Sequence, residues 1–283
     1  MSLNNDWFTE AAAEEGCAFS LRIREKLYSE QTPYQLLEIY QTETFGKLMT
    51  LDGLVMLTDR DNFIYHEMMT HPALFCHPDP KRILIIGGGD CGSLRETLKH
   101  DSVTQVDQVE LDEQVTLVSE KYFPDLCQSN DDPRAHFYFE DGIQWVARSK
   151  PDSYDIIIID STDPVGPAEG LFSTEFYRDC LDALDANGIL IAQSESPLLH
   201  AGLIKNMRSA MVGVGFQEVV TLLFPQCSYP SGWWSSTLAC KNGTLSEYRQ
   251  QDINHKSFDT KYYNPDIHDS AQKLPEFLID LLE

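Results

Sequence analysis

Two carboxylates, Asp160 and Asp163, follow an uninterrupted apolar run at residues 156–159, which are all isoleucine. Such a run is typical of a strand buried on both faces of a parallel sheet, and ligands of these sheets collect just beyond the carboxyl ends of the strands. Pro164 and Pro167 restrict the backbone after the acids, so the loop is expected to hold one shape. Paired acids in a rigid loop suggest a cationic ligand. The structural alternative is a helix cap, but the Pro-x-Gly-Pro sequence is expected to delay any helix.

A glycine-rich segment, Gly87-Gly88-Gly89-Asp90-Cys91-Gly92, follows an earlier apolar strand and opens a helical pattern. It satisfies the G-x-G-x-x-G spacing of nucleotide-binding loops. Glu110 ends the next strand about twenty residues on, where an acid commonly binds ribose hydroxyls. The pair Asp141-Gly142 ends the third strand and is suited to contact an adenine edge. These positions predict one nucleoside-binding crevice.

The carboxylate of Asp90 discriminates between two ligands of this crevice. The pyrophosphate of NAD needs the bare positive end of a helix, which an acid in the glycine loop opposes, so NAD is the weaker interpretation. Ordinary S-adenosylmethionine also fits poorly, because its amino-acid carboxylate would approach Asp90. A donor of this type that has lost its carboxylate and keeps only the amine is favoured.

The composition agrees with a cationic ligand. The chain of 283 residues has 45 acidic and 21 basic residues, a formal net charge of -24. Such a surface repels nucleic acid and anionic membranes, so neither is expected as a partner, although acidity alone also favours solubility. Hydrophobic residues make up 42% of the chain, which is enough for a large core.

The N-terminal residues and the cysteines indicate the cellular compartment. The first residues lack the pattern of a signal peptide and no apolar stretch could span a bilayer, so a cytoplasmic protein is expected. The seven cysteines are scattered without a C-x-x-C pair and are expected to be reduced, mostly packed thiols.

His66 and His71 resemble the zinc motif H-E-x-x-H, but the second histidine falls one residue too late. No metal site is therefore expected.

Two kinds of hydrophobic pattern divide the chain. Within residues 1–60, strand-like patterns at 34–40 and at 46–57, the second around an Asp52-Gly53 turn, predict a small N-terminal antiparallel β domain. Residues 61–283 begin with a predicted helix at 62–75 and continue as alternating strands and helices, which predicts a mostly parallel, doubly wound α/β sheet. Strands are expected near 83–86, 105–110, 136–139, 156–160 and 189–193, with an antiparallel edge pair near 217–224 and 235–240.

The motifs of the chain resemble, in order and along nearly its whole length, those of the spermidine synthases, the polyamine aminopropyltransferases. The segments that carry the resemblance are Tyr34-Gln35, Leu51-Asp52-Gly53, Thr58-Asp59-Arg60-Asp61, Tyr65-His66-Glu67-Met68, Ile85-Ile86-Gly87-Gly88-Gly89-Asp90, Glu110-Leu111-Asp112, Asp141-Gly142, the run from Asp160 to Pro167, Gln193-Ser194-Glu195, Tyr229-Pro230-Ser231-Gly232 and Tyr262-Tyr263-Asn264-Pro265. No single segment is decisive, but the ordered set is highly specific.

The resemblance implies transfer of an aminopropyl group from decarboxylated S-adenosylmethionine, a co-substrate, to a diamine. The acceptor is usually putrescine, and the products are spermidine and methylthioadenosine. The implied fold is a small N-terminal β domain on a methyltransferase-like Rossmann domain. No metal or redox cofactor is implied, and the assembly is expected to be a homodimer or homotetramer.

The resemblance also implies roles for individual residues. Asp160 would take the proton of the attacking amine, while the Tyr65 hydroxyl and the Ser161 carbonyl orient the nitrogen. The rest of the acceptor would contact Asp163, Gln193 and Tyr229. The donor would contact Gln35, His66, Asp90, Glu110, Asp141, Gly142 and Pro167, with Asp90 and His66 at its aminopropyl amine.

The chain departs from the family pattern at three places. Cys91 stands where another glycine is usual, Asp59 and Asn62 replace common glutamates, and Gln226-Cys227-Ser228 replaces a common Ile-Pro-Thr. The last segment is expected to border the acceptor pocket, which leaves cadaverine, agmatine or spermidine open as acceptors. An amine methyltransferase and a noncatalytic polyamine binder also remain open.

Overall fold

Two β-sheets, one before residue 60 and one after residue 80, organise the protein in a computed structural model that describes residues 6–163 and 166–282. Of Gly166 and Pro167 only the backbone is described. No helix in these ranges is long and apolar enough to cross a membrane.

The first sheet has five antiparallel strands in chain order. They are β1 (Trp7–Ala12), β2 (Cys17–Gln31), β3 (Leu36–Thr42), β4 (Lys47–Leu51) and β5 (Leu54–Thr58). The predicted Asp52-Gly53 turn joins β4 to β5, with positive φ at both residues. β1 and β2 are additional to the predicted strands, because exposed charged residues of β2 such as Arg24 and Glu25 obscure its apolar alternation.

The second sheet has seven strands. They are β6 (Arg82–Gly87), β7 (Gln105–Glu110), β8 (Ala135–Phe139), β9 (Tyr154–Asp160), β10 (Leu184–Gln193), β11 (Glu218–Pro225) and β12 (Trp233–Cys240). Their order across the sheet is β11-β12-β10-β9-β6-β7-β8. The strands from β10 to β8 are parallel, whereas β12 runs antiparallel to both β10 and β11. The predicted parallel sheet with an antiparallel edge is therefore confirmed.

Helices cover both faces of the second sheet. They are α1 (Asn62–Cys76), α2 (Gly92–Leu98), α3 (Glu113–Tyr122), α4 (Gly142–Arg148), α5 (Thr174–Ala183), α6 (Ala201–Val214), α7 (Gln250–Asn254), α8 (Pro265–Ala271) and α9 (Glu276–Leu282). A 3₁₀ helix spans Gly166–Phe172, so it begins inside the Pro-x-Gly-Pro sequence that was expected to delay a helix. A shorter 3₁₀ helix spans Pro230–Gly232.

The four isoleucines of β9 contribute alternately to two cores. Ile156 and Ile158 pack in the cluster that contains residues of α1 and α2, and Ile157 and Ile159 pack in the cluster that contains residues of α5 and α6. None is more than 2% exposed. Burying an isoleucine side chain contributes about 1.5–3 kcal/mol, so this strand is held firmly from both sides. The next residue, Asp160, consequently has a fixed position at the carboxyl edge.

Helix α1 is buried nearly all round, whereas the spacing of Phe63, His66, Met69 and Ala73 predicts burial on one face. Every residue from Tyr65 to Phe75 is buried. The turn before the helix is tied down by Asp61, which accepts hydrogen bonds from the Thr58 hydroxyl and the Ser228 amide. Tyr65 and His66 are therefore carried by a helix that has little freedom to move.

An apolar cluster joins the two sheets. Leu37, Ile39 and Met49 of the first sheet pack with Val115 and Val118 of α3. Because α3 follows β7 directly, this contact brings the first sheet to the carboxyl edge of the parallel strands. The two sheets thus enclose the space where Asp160 ends β9.

Candidate active site

A main cavity of about 260 Å³ lies at the carboxyl edge of the parallel strands, against the first sheet. A side pocket of about 30 Å³ shares Tyr65, Ser161, Asp163 and Tyr229 with it. In the described part of the chain, the charged residues that line the two spaces are all acidic: Glu10, Asp52, Asp90, Glu110, Asp112, Asp141, Asp160 and Asp163. Such a lining suits a cation and disfavours an anion.

Asp160 presents its carboxylate to the main cavity and receives a hydrogen bond on each oxygen. The Tyr65 hydroxyl donates to Oδ1 at 2.7 Å, and the Ser93 hydroxyl donates to Oδ2 at 2.6 Å. Burial and the nearby Asp90 raise the pKa of Asp160, against the opposing effects of His66 and these two hydroxyls. A carboxylate with a raised pKa and fixed orientation is suited to accept a proton.

The glycine loop fits closely against the end of β9. A side chain at Gly87 would place its Cβ 2.2 Å from the backbone oxygen of Asp160, and the φ of Gly87 is +79°. Cys91 also adopts a left-handed backbone, with φ 66°, which accounts for the glycine that is usual there. Its buried thiol donates to the Gly89 carbonyl at 3.6 Å. The loop thus keeps its shape with a cysteine at this position.

Asp90 lines the main cavity and forms an ion pair with His66, whose Nε2 is 3.1 Å from Oδ2. Its Oδ1 accepts from the Gly92 amide at 2.7 Å. Burial opposes the charged form, but His66 and the Gly92 amide lower the pKa of Asp90. For His66, burial acts to lower the pKa, but Asp90 raises it. Each partner therefore favours the charged form of the other.

His66 itself does not line the cavity, and its side chain is 1% exposed. The resemblance implies that it contacts the donor amine; in the structure its ring lies against the Asp90 carboxylate and supports it. Gly92 makes room for the ring, since a Cβ there would lie 2.2 Å from it. His71, the other histidine of the zinc-like segment, faces Glu96 and His100 instead, so the two histidines lie in separate clusters.

The other predicted donor residues lie along the main cavity. Gln35 donates to Asp112 Oδ2 at 3.0 Å, which links the first sheet to the start of α3. Burial raises the pKa of Glu110 to about 7. Asp141 caps α4 through the Ile143 amide, and Gly142 lies against Ile86, with no room for a Cβ. The side chain of Pro167 lies outside the described residues.

The predicted acceptor residues line the side pocket, except Asp160, which lines only the main cavity. Ser161, Asp163, Gln193 and Tyr229 all line the side pocket. The Tyr229 hydroxyl donates to the Met56 carbonyl at 2.6 Å, so this side chain offers its ring rather than its hydroxyl to a ligand. Gln193 accepts from the Glu195 amide at 3.1 Å.

Sequence reasoning predicted Asp163 but missed two acids near it: Glu10, which also lines this pocket, and Glu195, which does not line it and lies 3.1 Å from His200 Nδ1. Burial, the adjacent Glu195 carboxylate and Glu10 raise the pKa of Asp163 to about 9. Burial also raises the pKa of Glu10 to about 7, even though its Oε2 accepts from the Val55 amide at 2.7 Å. The position of Glu195 just after β10 could have been recognised from the sequence, whereas Glu10 lies on β1, a strand that was not predicted.

The other departures from the family pattern lie away from the cavity. The side chains of Gln226, Cys227 and Ser228 line neither space, so this segment meets the acceptor pocket only through the next residue, Tyr229. Asp59 accepts from the backbone and side-chain nitrogens of Lys47. None of these substituted residues lines either space.

The chain matches known families over both sheets. The spermidine synthase tetramerisation domain matches residues 6–59, and the spermine/spermidine synthase domain matches residues 62–249. A polyamine aminopropyltransferase of Nitrosococcus oceani is 62% identical over 96% of this chain and 95% of its own. That of Thioalkalivibrio sulfidiphilus is 60% identical over 98% of each chain.

Solved structures show the same similarity. A spermidine synthase in complex with the transition-state analogue AdoDATO superimposes with a TM-score of 0.95, at 35% identity, over 100% of this chain and 96% of its own. The spermidine synthase of Thermotoga maritima gives a TM-score of 0.92, at 36% identity, over 98% of this chain and 94% of its own.

Proposed function

We propose, from the premise that the chain belongs to the spermine/spermidine synthase family of polyamine aminopropyltransferases, that it is a spermidine synthase. It transfers the aminopropyl group of decarboxylated S-adenosylmethionine to putrescine and releases methylthioadenosine. The observation that carries the proposal is the wholly acidic set of charged residues along the described cavity, which includes the Asp160 carboxylate.

The main cavity suits the donor. Glu110 and Asp141 stand at the ends of neighbouring strands, where they can accept hydrogen bonds from a ribose and an adenine amine. The donor carries a positively charged sulfur and a terminal ammonium, and Asp90 offers the ammonium a charged partner. Ordinary S-adenosylmethionine would bring a carboxylate against Asp90 instead, which favours the decarboxylated donor.

The reaction balances with these groups alone. The acceptor nitrogen attacks the carbon next to the sulfonium, a C–N bond forms, and the C–S bond breaks with its electrons left on sulfur. Methylthioadenosine leaves as a neutral thioether. Because a protonated amine has no lone pair, the attacking nitrogen must first lose a proton, which Asp160 accepts. The proposal therefore needs no metal or redox cofactor.

The side pocket suits a short diamine. One amine reaches Asp160 and Tyr65, while Glu10 and Asp163, which line the pocket, meet the second ammonium. The pocket is about 30 Å³ and is bounded by Trp234 and Glu10, so it favours putrescine over the longer spermidine. Cadaverine and agmatine are expected to be poorer acceptors for the same reason.

A product assay tests this function. The protein is incubated with putrescine and either decarboxylated or ordinary S-adenosylmethionine, and the products are separated by chromatography. We expect equal amounts of methylthioadenosine and spermidine from the decarboxylated donor. S-adenosylhomocysteine from the ordinary donor would identify a methyltransferase, and binding without product would identify a polyamine binder. Repeating the assay with the other amines ranks the acceptors.

Acceptor binding should release protons and strengthen from about pH 6 to about pH 9. In the free protein, Glu10 has a pKa of about 7 and Asp163 of about 9, so both are largely protonated at the lower pH. An ammonium favours their charged forms, so binding expels protons. Calorimetry in buffers of different ionisation enthalpy measures this release.

Two variants isolate the contribution of Glu10. Glu10→Gln should reduce the proton release and weaken putrescine binding, because it removes one buried acid. Glu25→Gln, which removes the same charge from the exposed strand β2, should change neither quantity. Proton release that is the same in the Glu10→Gln variant as in the wild type would exclude Glu10 from the acceptor site.

We further propose that the protein works in the cytoplasm as a homodimer or homotetramer. Residues 6–59 match the tetramerisation domain, which supports assembly through the first sheet. All seven cysteines are free in the structure, which is in keeping with a reducing compartment.

A further inference from the structure

Ser93 makes a contact with Asp160 to which sequence reasoning assigned no role. Its hydroxyl donates to Asp160 Oδ2 at 2.6 Å, a shorter distance than that from Tyr65 to Oδ1. Ser93 lies in the first turn of α2, is fully buried, and lines neither the main cavity nor the side pocket. It therefore approaches the carboxylate from the protein side.

We propose that Ser93 is a positioning residue for transfer, which holds the Asp160 carboxylate in the orientation that accepts the proton of the acceptor amine. This inference rests on the proposed role of Asp160. The terminal torsion of an aspartate is broad, so the Tyr65 hydroxyl alone would leave the carboxylate free to swing about that single contact. A second hydrogen bond on the other oxygen fixes the plane of the group.

The Ser93 hydroxyl bonds to Asp160 rather than to a carbonyl of its own helix. A serine inside a helix often bonds to the carbonyl four residues earlier, but here the hydroxyl reaches across to β9. The Gly88 amide also donates to the Asp160 carbonyl at 2.8 Å. The end of β9 is thus held by the glycine loop through its backbone and by α2 through its side chain.

A hydroxyl can serve both protonation states of Asp160. Toward the carboxylate it donates, and after proton transfer it can rotate and accept from the new carboxylic acid. Removing it withdraws a donor from the charged form, which raises the proton affinity of Asp160. The other titratable groups that face Asp160 remain in place: Tyr65, His66, Asp90, Glu110 and Tyr229.

The test is the pH dependence of kcat at saturating donor and acceptor, which reports groups in the bound complex. In Ser93→Ala, kcat on the plateau should fall by about threefold to tenfold, because the carboxylate is less well oriented, and the acid limb of the profile should move up by about half a unit to one unit. Ser93→Thr keeps a hydroxyl and should restore the limb. Donor affinity should be the same in all these enzymes.

A matched control separates this role from a structural one. Ser119 is a fully buried serine of α3, whose hydroxyl donates to the Val115 carbonyl. Ser119→Ala should alter the thermal midpoint without moving the acid limb. If Ser93→Ala does not fold, Ser93→Cys fills similar space with a weaker donor and should move the limb in the same direction.

The outcomes distinguish the two proposals. A wild-type protein that makes no methylthioadenosine contradicts the proposed function. An active wild type whose limb is unchanged in Ser93→Ala, or is moved equally by Ser119→Ala, overturns the role of Ser93 alone.

Discussion

The Asp160→Asn enzyme is expected to fold, to bind the decarboxylated donor, and to transfer aminopropyl groups at least about 10²-fold more slowly than the wild type. The amide occupies the same space, and the Tyr65 and Ser93 hydroxyls that contact this position can each donate or accept. The local hydrogen bonds can therefore re-form. The amide cannot take up the amine proton, so the attacking nitrogen stays protonated for longer. Stopped-time assays of methylthioadenosine at saturating putrescine measure the loss.

Asp155→Asn is the matched control for this substitution. Asp155 lies on the same strand, β9, near its opposite end, where its carboxylate accepts from the Lys81 and Arg82 amides. The variant should be less stable, because these contacts weaken, but its kcat should remain close to that of the wild type. An Asp160→Asn enzyme with near wild-type turnover at neutral pH would show that another group takes the proton.

The parts of the fold that the sequence predicted correctly are those with strong local patterns. The isoleucine run of β9 had to be buried on both faces, and the Asp52-Gly53 pair had to turn the chain between two short strands. Such patterns reflect the period of a single element, so they are visible without knowledge of its neighbours. Because Glu110 ends β7 and Asp160 ends β9, the predicted parallel sheet placed both acids at its carboxyl edge.

The features that the sequence did not predict depend on contacts between distant segments. Glu10 reaches the acceptor pocket from a strand whose exposed partner, β2, carries charges on both faces. Ser93 looks like an ordinary polar residue near the start of a helix until β9 is placed beside it. The resemblance places His66 at the donor amine, whereas in the structure its buried ring contacts the Asp90 carboxylate. Only the packing of α1 shows that Asp90 lines the main cavity and that His66 does not.

The position of His66 affects which of the two donors the main cavity is expected to prefer. The ion pair with His66 reduces the net charge at Asp90, which by itself would weaken any preference between donors. The two partners are not equally exposed, however, because the Asp90 side chain is 16% exposed and the His66 side chain only 1%. A ligand in the cavity therefore meets the carboxylate first, and the ring lies behind it. The preference for an ammonium over a carboxylate should persist.

Asp90→Asn should consequently reduce the preference for decarboxylated over ordinary S-adenosylmethionine by at least about tenfold. In the wild type the carboxylate attracts the ammonium of one donor and repels the carboxylate of the other, and the substitution removes both effects at once. A charge contact in a partly desolvated site commonly contributes about 1.4 kcal/mol or more, which corresponds to that factor. Calorimetric dissociation constants for both donors measure the ratio directly, without turnover.

Two comparisons make this result specific to Asp90. Methylthioadenosine has neither the amine nor the carboxylate, so its affinity should be the same in the variant and the wild type. Asp141→Asn changes the same side-chain type at the start of α4, where the adenine is proposed to bind, and should weaken both donors by a similar factor, leaving their ratio unchanged. If Asp90→Asn also left the ratio unchanged while methylthioadenosine bound normally, the discrimination between donors would have to arise elsewhere in the cavity. The acidic glycine loop would then no longer explain why this Rossmann-like fold binds an aminopropyl donor.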